Sequence, residues 1–109
     1  MKEQRLLIIF VTAPSKDSAL SLAKTLLDTQ LVACVNILPE ITSVYNWKGA
    51  REESSEVLLL IKSREALFPE LEKLIRANHP YEVPEIVAVD VAAVSEPYAN
   101  WVCAETTKK

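Results

Sequence analysis

The chain has 109 residues, is half hydrophobic, and carries 12 Lys and Arg against 15 Asp and Glu, a formal net charge of -3. That length and apolar content predict one domain over residues 1–109, built around one core. The acidic balance, with a sequence pI near 5.2, argues against nucleic acid or a membrane surface as partner, because both select for basic patches.

Residues 5–13, "RLLIIFVTA", are β-branched and aromatic without polar alternation, which predicts a strand buried on both faces. A secretory signal is the competing reading of this start, but the apolar run is short, Glu3 interrupts the basic region and a helical pattern follows at once. Ser15 is placed to cap a helix that runs to about Gln30, with Asp17 in its first turn and Ala19, Leu22, Ala23, Leu26 and Leu27 on its apolar face. "LVACVNILPEITSVYNWKG" then reads as strand on both sides of Pro39, which cannot donate to a ladder and marks a bulge, a kink or an edge. Gly49, the only glycine, is predicted to supply the positive φ of a hairpin turn. Glu56 to Ser63 forms the next strand. A second helix starts near Leu67, with Pro69 in its first turn. The strand "IVAVDVAAV", residues 86–94, and a short helix opened by Ser95 and Pro97 complete the chain; Tyr98, Trp101 and Val102 share a face of that helix.

The order βαββαβ plus a terminal helix predicts an α+β fold of the split βαβ, ferredoxin-like type, an antiparallel sheet with two helices on one face. A continuous strand over residues 32–47 would span about 50 Å at about 3.3 Å per residue. A compact chain of this length is only about 34 Å across. The hairpin therefore overhangs its domain, and its apolar residues Ile41, Val44, Tyr45 and Trp47 call for a neighbouring chain to cover them. The alternative is that Pro39 folds the segment back on itself.

The residue census removes several chemistries. One glycine is too few for a dinucleotide fingerprint or a P-loop, and one histidine is too few for a two-histidine zinc helix. Cys34 and His79 could in arithmetic form a nucleophile and base, but Cys34 lies in the strand context "VACVNI", which favours a buried, inert thiol. Cys103 reads as a small hydrophobe on the last helix. Neither cysteine belongs to a spaced zinc or disulfide pattern, which suits a reducing, cytoplasmic setting. No segment approaches the about 20 apolar residues needed to span a bilayer.

A metal remains chemically open, since thiolate and imidazole suit copper or zinc, yet one chain is short of the four ligands a closed site takes. Glu82 and Glu85 could supplement His79, or a symmetric oligomer could present the same residues several times. The simpler reading of His79 is a helix end bonded to a backbone carbonyl. Pro80 and Pro84 stiffen "HPYEVPEI" into a short extended run, in which Glu82 and Glu85 at i and i+3 should point to opposite faces.

"VTAPS", "LVACVNILPEITSVYNWKG", "EVLLLIKS" and above all "HPYEVPEIVAV" resemble the CutA family of divalent-cation tolerance proteins, over about Leu6 to Trp101. The resemblance implies a ferredoxin-like homotrimer, similar in architecture to the PII signalling proteins. It implies a non-enzymatic protein that needs no cofactor and is linked to copper and other divalent metals. It points to Cys34 and His79 as candidate ligands, and to Trp47, Lys62, Tyr81, Glu82, Glu85 and Trp101 as residues of a cleft between subunits. Where some relatives carry a cysteine before "TAP" this chain has Val11, so harder and weaker metal binding through His79 and carboxylates is implied. The second function that the PII-like architecture implies is a signalling or scaffold module whose clefts hold a small molecule or a protein partner. A small hydrolase, the third, lacks a convincing nucleophile and base.

Overall fold

The structure is a computed structural model, and it describes residues 5–106. β1 is Leu6–Ala13, α1 Lys16–Asp28, β2 Cys34–Trp47 and β3 Ala50–Arg64; a single 3-10 turn at Glu65–Leu67 leads into α2, Phe68–Ala77, followed by β4, Val87–Asp90, and α3, Glu96–Glu105. The four strands form one antiparallel sheet in the order β2-β3-β1-β4. This is the split βαβ arrangement that the element order predicts.

Local chemistry sets the ends of the elements. The Ser15 hydroxyl accepts from the Ser18 backbone N–H at 3.1 Å, and the Ser18 hydroxyl accepts from the Ser15 N–H at 3.3 Å, a reciprocal cap that starts α1. Thr29 closes it two residues before the expected end. Pro69 lies in the first turn of α2, where its missing N–H costs nothing. Lys48 and Gly49, with φ of 52° and 83°, form a two-residue turn that pairs Trp47 with Ala50. Positive φ at both positions matches the right-handed twist of the hairpin.

Side chains alternate across the sheet. Leu7, Ile9 and Val11 of β1 and Val57, Leu59 and Ile61 of β3 point into the core, where Leu22 and Leu26 of α1 and Leu71 and Ile75 of α2 cover them. On the opposite face Val102 of α3 packs on Leu6 and Ala33, with Cys103 half-buried beside them. Arg64 ties the end of α3 down by donating to the buried Thr106 hydroxyl at 2.8 Å. The rest of that second face has no cover within the chain. Ile8, Phe10, Leu58 and Leu60 are half-buried on it, and Val87 and Val89 are 50% and 43% exposed.

Pro39 and Glu40 together oppose Val57, a bulge at which Glu40 takes a φ of 60°. The hairpin continues straight beyond it and does not fold back. It makes the chain 48 Å long against 26 and 22 Å in the other directions, with a radius of gyration of 14.6 Å, where a compact chain of this length has about 13 Å.

Three expectations need correction. β3 begins at Ala50 and not at Glu56, because the turn zips the polar residues "AREESS" onto β2 whatever their hydropathy. β4 covers only residues 87–90 of the expected 86–94, because its register meets the start of β1 at Asp90 and Leu7, after which only the Val91 N–H reaches Leu6 O. Residues 80–83 form bends and not an extended run.

Candidate functional site

His79 sits where α2 has ended, and both of its ring nitrogens are engaged. Nε2 lies 2.7 Å from the Thr12 carbonyl oxygen, and Nδ1 accepts from the Tyr81 backbone N–H at 3.1 Å. A carbonyl only accepts, so Nε2 carries the hydrogen and the ring is neutral in this arrangement. The imidazole thereby clamps the post-helix segment to the end of β1. Its ring also lies against Tyr81, centroids 4.8 Å apart and planes at 51°.

That clamp aims Tyr81 across the sheet. Its phenol donates to Glu56 Oε2 at 2.5 Å. Burial in the first place, and the bond to the Glu56 carboxylate in the second, push the phenol far above its ordinary range. A raised pKa in the fold means that the protonated phenol contributes its full stability up to the ordinary value near 10 and loses it as pH rises further. In an alkaline titration followed by phenolate absorbance, we expect one tyrosine to ionise only as the fold is lost. Tyr81→Phe should abolish that late step; an unchanged titration would show that the Glu56 bond is not its cause.

Glu56, Tyr81, Glu82 and Glu85 meet Thr12, Tyr45, Trp47 and Glu52 around an open cleft of about 710 Å³ at the root of the overhanging hairpin. The volume lies within the usual range for ligand pockets. Glu82 and Glu85 both reach it because residues 80–83 bend, so the alternation expected of an extended run does not apply.

The other candidates lie elsewhere. Cys34 opens β2, half-buried, and its register partner is Lys62, which in turn pairs with Ile8 of β1. Thr12, the partner of His79, stands four residues further along β1, about 13 Å in the strand direction. One chain therefore does not bring Cys34 to His79. Lys62 donates to Asn36 and lines a second, smaller cavity with Leu6, Val91 and Tyr98. Burial raises the Tyr98 phenol, with Cys34 as the next cause. Trp101 is 43% exposed on α3 and packs its ring on Tyr98 at 5.6 Å. The eight residues thus fall into two groups, Trp47, His79, Tyr81, Glu82 and Glu85 around the cleft and Cys34, Lys62 and Trp101 near α3. Among the described residues no three His, Cys, Asp or Glu side chains are grouped so that they could hold a metal ion.

Sequence reasoning missed Glu56. Its signal is a carboxylate at the head of the apolar run "EVLLLIKS", on the face of the sheet away from the helices; only the pairing of β3 with Ile41 and of β1 with β3 brings it beside Tyr81.

Residues 7–105 match the family described as CutA1 divalent ion tolerance protein. The divalent-cation tolerance protein CutA of Thermus thermophilus is 44% identical over 94 residues, which cover 86% of this chain and 91% of that one. Protein CutA of Mus musculus is 46% identical over 93 residues, 85% of this chain, and there the chain spans about half the length of its relative. The crystal structure of CutA1 from Oryza sativa superposes with a TM-score of 0.92 at 37% identity, covering 96% of each chain. With a matched span that runs from the first strand to the last helix, and a relative and a solved structure aligned over nearly their full length, the chain belongs to the CutA1 divalent ion tolerance family.

Proposed function

We propose that this protein is a non-enzymatic homotrimer of the cytoplasm that takes part in tolerance of divalent cations, copper among them. The observation that carries the reading is the uncovered apolar face of the sheet, continuous with a hairpin that overhangs its own domain. A monomer rarely leaves such a face in water, and a second and third copy would cover it. The names of the relatives supply the link to divalent cations, and the two free cysteines suit a reducing compartment.

Assembly also answers the shortage of ligands. Copies meeting at the cleft bring Glu82 and Glu85 of one chain towards groups of the next, while His79 Nδ1 and the Cys34 thiol bind a metal only by giving up the Tyr81 N–H or the Tyr98 contact. Carboxylate-dominated coordination favours weak binding.

Two measurements test the reading. Light scattering should give three times the 12.2 kDa of the chain, and the monomer mass would overturn it. Calorimetric titration with copper(II) should show binding that is weakened in Glu82→Gln and Glu85→Gln, and less so in His79→Ala and Cys34→Ser. Binding unchanged in all four variants would remove these residues as ligands.

A further inference from the structure

The cleft contains an electrostatic imbalance that the metal reading does not use. Glu56 is 6% exposed, and its one hydrogen bond joins Oε2 to the neutral Tyr81 phenol. Among the described residues no Lys, Arg or His pairs with it. No buried side-chain oxygen of the described residues lacks a partner, so Oε1, which makes no hydrogen bond, must open into the cleft. A carboxylate buried to this degree ordinarily has a cation beside it.

Everything else around the cleft points to the same missing partner. Its lining includes four glutamates, Glu52, Glu56, Glu82 and Glu85, and no basic side chain. Tyr45, Trp47 and Tyr81 present aromatic rings, and ring faces attract cations. The Lys48 ammonium, 5.5 Å from the centre of the Trp47 ring, already shows this attraction at the rim. Yet the four carboxylates do not converge on a point where one metal ion could be held. Spread charges around aromatic walls suit a cation whose charges are also spread along an apolar stem, with N–H groups for the carboxylates and methylenes for the rings.

The geometry points to this cleft as a binding site for an organic polyammonium ion, with one ammonium group donating to Glu56 Oε1 and others facing Glu52, Glu82 and Glu85. The inference does not rest on metal binding, and it uses residues of a single chain.

Spermidine is the probe, titrated calorimetrically into the assembled protein at low salt, with magnesium chloride at equal ionic strength as the control for unspecific charge attraction. Saturable binding is expected that magnesium does not reproduce, weakened about tenfold or more in Glu56→Gln, as loss of a charge-assisted bond implies. The glutamine still accepts from Tyr81, so the variant keeps the fold, which circular dichroism checks. Glu52→Gln, at an exposed position, should weaken binding less. No saturable heat at millimolar spermidine, or equal binding in Glu56→Gln, would overturn the proposal. So would a Glu56→Gln variant that binds spermidine normally but loses its assembled mass, because the missing cation would then belong to a neighbouring copy.

Discussion

A Leu60→Asp variant should scatter light as a monomer while keeping the far-ultraviolet dichroism of the parent. Leu60 lies in the middle of the uncovered face, between its register partners Phe10 of β1 and Asn36 of β2, and is only half-buried within one chain. The chain can therefore hydrate an aspartate there, but an interface cannot. Burying an unpaired carboxylate costs several kcal/mol, more than a tenth of any plausible association energy and enough to shift assembly by a factor of about a thousand or more. Retention of the trimer mass would show that this face is not where the copies meet.

One residue further along, the outcome reverses. Ile61 is fully buried on the helix side of the same strand, in contact with the cluster around Ile9, Leu71 and Ile75. Ile61→Ala should cost about 2–5 kcal/mol through lost burial and the cavity left behind. The measurement is chemical denaturation at fixed protein concentration, since association adds to apparent stability. A cost under about 1 kcal/mol would mean that the core collapses around the gap, as poorly packed cores do. The pair of variants separates association from folding, because adjacent residues of a strand face opposite sides of the sheet.

The order of the elements, the bulge near Pro39, the turn at Gly49 and the reach of the hairpin were legible in the sequence because each rests on a strong local signal. Proline removes a donor, glycine admits positive φ, and strand length is set by rise per residue. The polar half of β3 was not legible, since "AREESS" becomes strand only through its partner. Nor was the bend at residues 80–83, where two prolines suggested stiffness without fixing its direction. His79 was read as either a ligand or a bonded helix end; its two hydrogen bonds give it the second role within one chain. Glu56 stayed hidden because its neighbours Thr12 and Tyr81 come from positions 44 and 25 residues away, and only tertiary pairing brings them to it.

The extra residue at Pro39 and Glu40 gives β2 two reading frames. Before it, even-numbered residues such as Cys34, Asn36 and Leu38 look away from the helices; after it, the odd-numbered Ile41, Ser43, Tyr45 and Trp47 do. An insertion or deletion of one residue elsewhere in the overhanging arm would send Tyr45 and Trp47 to the wrong side and empty the cleft of its aromatic wall. Loss of Glu40 alone would convert the bulge into a regular ladder and leave the partners of Glu56, Ser54 and Glu52 in frame. Position 40 is thus the one place in the arm where its length can change by a residue and the cleft keeps its wall.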